Sequence, residues 1–426
     1  MRLPSALLAL AAAAPGLPAA AQGLAIVHAR AWTGTSETPV EDATILVRDG
    51  RIVSVARGAA PPAGMEVLDA GGRPVTAGLF APATQVGLIE VAGADDTGDE
   101  AVSSGKLGAA FDVAPAVNSN SLLVEQARAD GVVRTLSFPT GSAVPPFLGQ
   151  AALLHLGSGS VLDRPRAAMF VRIGGGSASS AGGSRAAQWT LLRRSVEEAR
   201  ALQRGVVRPP EDRLFSRQDL EALAPVATGA MPLAIQTNRQ SDIAEAIRFA
   251  AELRLRVVIV GGAEAWTLAR ELAAAKIPVI LDPTATLPAT YDEIGTRPDN
   301  AALLDKAGVT IGIAPAANAI EASYNVGVSS REAAGLAVSN GLSYPAAIRA
   351  LTAGPASIWG APDAGTLAPG KAADIIVWDG DPLEPSSAPT AVIVEGRRMS
   401  TVTREQRLTE RYSPARRSEP WPPAYR

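Results

Sequence analysis

The chain has 426 residues, 47% of them apolar and 19% charged, enough for one large core with an accessory domain or for two or three smaller domains. Its formal net charge of −3 gives no electrostatic reason to bind nucleic acid. Cysteine is absent and histidine is limited to His28 and His155, which excludes disulfides and thiolate metal sites and leaves imidazole chemistry two positions.

The first 21 residues read as a cleavable secretory signal. Arg2 supplies a short positive region, residues 7–14 an apolar run, and Ala19, Ala20 and Ala21 a small-residue cleavage site before Gln22. The run is shorter than the roughly 20 residues that span a bilayer, and Pro15, Gly16 and Pro18 interrupt it. The expectation is a periplasmic or secreted protein with no integral membrane segment in its mature form.

Residues 22–77 alternate short β-rich runs with turn signals. ATILVRDGRIVSVA (43–56) is two such runs joined by Asp49 and Gly50, a hairpin signal. ADIIVWDGDP (373–382) and AVIVEGRRM (391–399) have the same character. The two ends, 22–77 and 359–402, are therefore expected to build one small composite β-sandwich.

Between them, residues 78–358 mix strands and helices. A strand is expected at 74–79, a helix at 121–130, strands at 132–137 and 167–173, and a helix at 186–204. From Met231 the alternation is regular: PLAIQTN as a strand, SDIAEAIRFAAEL as a helix with Asp242 and Glu245 spaced as a capping box, and three further βα units. Such repetition implies a parallel sheet with right-handed crossovers. Eight units fit an α/β fold of the (β/α)8 TIM-like barrel type, with the fourth strand weakly marked near 205–208; a doubly wound sheet is the alternative. The Arg- and Pro-rich tail, 403–426, reads as a solvated end.

Three motifs carry little. GGGSASSAGG (174–183) lacks the Lys-Ser/Thr of a phosphate loop and reads as a flexible connection. ADDTGDE (94–100) lacks the spacing of a calcium loop and reads as solvated. No Gly-x-Ser-x-Gly elbow is present.

AIRALTAGPASIWGAPDAGTLAPGKAADIIVWDGDPLE (347–384), together with ILVRDGRIVSVA and VLDAGGRPVTAGLF near the start, resembles the amidohydrolase superfamily, in particular its exported imidazolonepropionase-like branch. The resemblance implies a barrel capped by a sandwich from both termini. It also implies hydrolysis of carbon–nitrogen bonds other than peptide bonds by water activated on Zn or another divalent metal. The family holds that metal with a His-x-His after the first strand, often a carboxylated Lys after the fourth, His after the fifth and sixth, and Asp after the eighth.

This chain departs at each mapped position. GLFAPATQVGL (78–88) puts Ala83 and Gln85 where the family has its two histidines, and Gln236 stands at the fifth-strand position. Gly261, Gly262 and Glu264 follow the sixth strand, and Ala314, Pro315 and Ala316 the eighth. Arg172, assigned to the third strand, cannot be carbamylated, and no lysine stands at the fourth. His28 precedes the barrel and His155 sits in an apolar run, so neither is expected to bind metal. The reading is of no metal, no other cofactor and no catalytic residue.

Gln85, Glu90, Gln236, Asn238, Arg239 and Glu264 are the candidate pocket residues, expected to converge at the C-terminal mouth of the barrel. Asp282 and Asn318 are read as polar packing, and Arg239 is expected to have Asp242 as its partner. The expected protein is a silent homologue that binds a small-molecule ligand or partners an active amidohydrolase paralogue. The alternative is an active metal-dependent enzyme with divergent or partner-supplied ligands.

Overall fold

The computed structural model describes residues 23–91, 94–206, 209, 214–315 and 322–413. The expected signal at 1–21, Ala316, Asn318 and most of the tail lie outside the described residues.

The N-terminal part forms β1 (Leu24–Trp32), β2 (Val40–Arg48), β3 (Arg51–Arg57), β4 (Glu66–Asp69) and β5 (Pro74–Ala77). The β2–β3 hairpin turns on Asp49 and Gly50, both at positive φ (52° and 74°), the conformation that matches the twist of the flanking strands. The barrel strands follow: β6 (Leu79–Thr84), β7 (Val132–Ser137), β8 (Phe147–His155), β9 (Leu162–Arg172), β10 (Leu233–Thr237), β11 (Val257–Gly261), β12 (Val279–Leu281) and β13 (Ile311–Ile313). The chain then returns to the first sheet with β14 (Ile375–Trp378), β15 (Pro389–Val394) and β16 (Arg397–Met399). That sheet has the order β16-β15-β14-β5-β1-β2-β3, with β4 beside β1, so strands from both ends of the chain share it.

The run expected as one strand at 74–79 is divided between the two sheets. β5 pairs with β1 and β14, and β6 starts one residue later beside β7. Gly78 makes the crossing: its N–H donates to the carbonyl of Asp374, and an added Cβ would sit 2.1 Å from Val133 Cγ2.

The second sheet runs β6 to β13 in spatial order, and β13 lies against β6, so the barrel is nearly closed. All neighbouring pairs are parallel except those of β8, which is antiparallel to both β7 and β9. This corrects the expected eight βα units. The apolar run around His155 is the additional strand, entered and left without a helix, and the strand expected as third is fourth in the wall. Nothing at 205–206 is a strand; Gly205 is in the turn after the helix Arg185–Gln203, and 207–208 lie outside the described residues. From β10 onward the four regular βα units are as expected.

Alternate residues of each strand face the lumen, which is packed, not hollow. Phe80, Leu136, Phe138, Leu148, Phe170, Ala234, Val258, Val260, Ile280 and Trp359 form one buried cluster there, with Phe138 stacked on Phe170 at 4.7 Å. A second cluster fills the space between the strands and the outer helices.

The base of the barrel is joined to the first sheet by charge. Arg134, 5% exposed, reaches Asp374 at 3.2 Å, Asp163 at 3.4 Å and Asp363 at 3.9 Å. His155 Nε2 adds a 3.1 Å contact to Asp374, which also accepts the N–H of Glu395. Burial pushes the Asp374 carboxyl up, but His155, Arg134 and that N–H outweigh it and hold it below the ordinary carboxylate range. Nearby, the buried guanidinium of Arg331 donates to the carbonyls of Pro382, Glu384 and Ser387 and lies 4.9 Å above Trp378. The described part of the tail is a helix, Arg404–Tyr412, with a capping box and a 2.9 Å Arg407–Glu125 pair, and it buries none of its residues. No helix among the described residues is long and apolar enough to cross a membrane.

Candidate ligand site at the barrel mouth

Strand parity decides which side chains meet at the mouth. Phe170 and Ala234 belong to the lumen cluster, so Arg172 and Gln236, two residues further along β9 and β10, face the lumen above them. They are register partners on adjacent parallel strands. Arg172 Nε donates to Gln236 Oε1 at 2.9 Å. On the β6 wall Ala83 joins the lumen cluster, and Gln85 follows it two residues later.

Gln85 is 2% and Gln236 8% exposed, and the Nε2 atom of each has no hydrogen-bond partner among the described residues. Gln85 Oε1 has a long 3.4 Å contact with Ser323 Oγ. No carboxylate among the described residues pairs with Arg172, and burial alone pushes its guanidinium below the ordinary value. Arg172 escaped the sequence reading, which weighed it only as a residue unable to take a carbamate. The alternation Ala168, Phe170, Arg172 beside the Gln236 strand was the available signal.

The other pocket candidates are engaged elsewhere. Glu90 accepts from Asn118 Nδ2 at 2.7 Å and from Ser121 Oγ at 3.0 Å, fastening the loop after β6 to the start of the helix Leu122–Ala129. Asn238 donates to Glu293 at 2.8 Å, and Glu264 accepts from the N–H groups of Gly295 (2.9 Å) and Gln240 (2.8 Å). These bonds hold the 291–295 segment near the ends of β10 and β11. Arg185 and the N–H of Gly175 both contact Asp292, so the glycine-rich loop is tied to the same segment.

Arg239 is exposed at the N-cap of the helix Gln240–Leu253 and makes no side-chain cap. The expected capping box is therefore absent. Asp242 pairs instead with Arg185 at 3.2 Å and accepts from Trp189 Nε1, while Glu245 pairs with Arg248 and Arg193. Asp282 accepts from the N–H and hydroxyl of Thr284. In the acidic loop, Thr97 Oγ1 bonds the backbone of Val91 and Ala94. His28 lies in β1, paired with Asp69 at 3.0 Å.

A divalent metal can be tested against this donor set. Guanidinium has no lone pair to give, and the Gln236 oxygen is occupied by it. Imidazole does not occur here; both histidines are committed elsewhere. Among the described residues no three His, Asp or Glu side chains come together in a group that could hold an ion. Among the described residues the side chains at the mouth do not fit a zinc or other divalent site, and no chemical step is routed through one.

A mixed α/β barrel with its polar residues at the C-terminal strand ends defines a class of protein, and comparison with known proteins narrows it. A family model described as "Amidohydrolase family" matches residues 236–399. An amidohydrolase of Thermotoga maritima MSB8 shares the fold with a TM-score of 0.77 and 22% identity, covering 88% of this chain and 99% of that one. Molinate hydrolase (TM-score 0.54, 17% identity, 89% and 95% covered) and enamidase (0.51, 15%, 90% and 97%) are more distant in fold. No curated protein matches the chain. Residues 236–399 are thus similar to the amidohydrolase family, and the whole described chain shares its fold with a solved amidohydrolase.

Proposed function

We propose that the chain is a metal-free amidohydrolase relative whose barrel mouth binds a small molecule without hydrolysing it. The observation that carries this reading is the donor set: Arg172, Gln85 and Gln236 face the lumen where the family resemblance puts metal ligands. Amides and guanidinium hydrogen-bond a ligand well, but they neither activate water nor move a proton near neutral pH. Export, the folding of the shared sheet into a sandwich, and service beside an active paralogue belong to the same reading.

The test is metal analysis of the purified mature protein with hydrolysis assays on acyl-amino-acid, dipeptide and lactone panels. The expected result is zinc well below one equivalent and no chelator-sensitive turnover. Stoichiometric zinc, with turnover abolished by a chelator, overturns the proposal in favour of an active enzyme with divergent or partner-supplied ligands. Restoring two histidines, Ala83→His with Gln85→His, is expected to leave zinc substoichiometric, because Arg172 keeps a positive charge in the same ring.

A further inference from the structure

Resting on the metal-free reading, we infer that the mouth is a carboxylate site, in which the Arg172 guanidinium and the free amide N–H groups of Gln236 and Gln85 hold a small apolar acid. The first support is the balance of donors and acceptors. Arginine can only donate, so its 2.9 Å contact fixes the Gln236 amide with oxygen toward Arg172 and turns the NH₂ away from it. That NH₂ and the NH₂ of Gln85 are both buried and unpartnered. Buried donors left unmade are costly, and a half-buried cation without a counter-ion among the described residues is costlier still. Arg172 and Gln236 lie side by side, and Gln85 ends the β6 wall of the same lumen; these donors call for an occupant that accepts and carries negative charge.

Neighbouring acids do not fill that role. The oxygens of Glu264, Asp292 and Glu293 are committed to backbone N–H groups of Gly295, Gln240, Gly175 and Ala289 and to the side chains of Arg185 and Asn238. The second support is the floor. Beneath the donors lie Phe138, Phe170 and Leu148, all buried and apolar. One guanidinium with two neutral amides suits a monoanion, and an apolar floor suits an organic body more than a phosphate. Arginine also presents paired N–H groups that match a carboxylate edge.

The experiment is calorimetric titration of the full mature protein with benzoate and with butyrate, each against its uncharged amide, before and after EDTA treatment. The acids are expected to bind at least about tenfold more tightly than the amides, a difference that survives EDTA. Arg172→Met is expected to remove that preference and Arg172→Lys to keep part of it. Equal affinity for acid and amide, or no binding of either acid, overturns the inference in the unmodified protein, whatever the variants do. Zinc measured on the same samples separates the failures: zinc-free protein indifferent to the acids sinks this inference alone, whereas stoichiometric zinc sinks the metal-free reading beneath it.

Discussion

Two arginines point into the same lumen from opposite ends, and their surroundings differ sharply. At the base, Arg134 on β7 has three carboxylates within 4 Å, and the nearest, Asp374, is also held by His155. At the mouth, Arg172 on β9 has one amide oxygen. A buried charge supplied with counter-ions by the protein is part of the framework; here it clamps the barrel to the sheet shared by both termini. A buried charge left with a single neutral partner is not explained by the framework, and that contrast is what directs attention to the mouth as a place for a ligand.

The comparison breaks most easily at the base. Arg134→Met leaves Asp374 buried with His155 as its remaining side-chain partner, and is expected to cost about 3–5 kcal/mol in urea or thermal unfolding. Asp374 has its folded value depressed, so its contribution is present above the unfolded carboxylate value and lost as pH falls through the folded one. The cost of Arg134→Met should therefore be full at neutral pH and shrink below about pH 4. A change under about 1 kcal/mol at pH 7 would show that the junction is held by packing alone.

The same contrast explains what could be read in the sequence. The sequence placed β7 to the residue, and the regular βα units after Met231 were legible because a strand buried on both faces, as at PLAIQTN and RVVIVGG, is a short, mainly apolar run between turn signals. The Asp49–Gly50 hairpin was legible because its positive φ angles demand such residues. Antiparallel β8 was not, since a mostly apolar run of nine residues does not state its direction, and the βα rhythm hid it. Losing it shifted Arg172 from fourth strand to third and detached it from Gln236. Glu90, Asn238 and Glu264 are polar residues at strand ends, as a pocket requires, but loop-fastening uses the same residue types at the same places.

A charge at the base that does not follow the Arg134 pattern sharpens the comparison further. Asp130 caps the end of the helix Leu122–Ala129, where the helix dipole already disfavours a negative charge, and its Oδ2 is buried without a partner among the described residues. Burial pushes its carboxyl up to about 6, against the pull of Arg331, with Glu405 adding to the rise. A raised folded value means that the native state holds the proton more tightly. Stability is then fullest below the unfolded carboxylate value and falls as pH rises through about 6. Asp130→Asn is expected to stabilise the protein by about 2 kcal/mol at pH 7–8, with the gain vanishing below about pH 4. Unfolding midpoints across that range give the answer, and a gain independent of pH would remove the carboxylate from the explanation.

The smallest effect is the most telling. Arg172→Met keeps the alkyl bulk, removes a half-buried unpaired cation and forfeits one hydrogen bond to Gln236. The bond is worth about 1 kcal/mol, and the desolvation relieved is of the same order or larger. The net expectation is a change between zero and a gain of about 1 kcal/mol, opposite in sign to the Arg134 result from the identical substitution. Denaturant unfolding of the two variants side by side makes the measurement. A loss beyond about 2 kcal/mol would place Arg172 with Arg134 as part of the framework. A neutral or positive result would mean that the fold gains nothing from holding that cation at the mouth, as expected of a residue kept for what it binds.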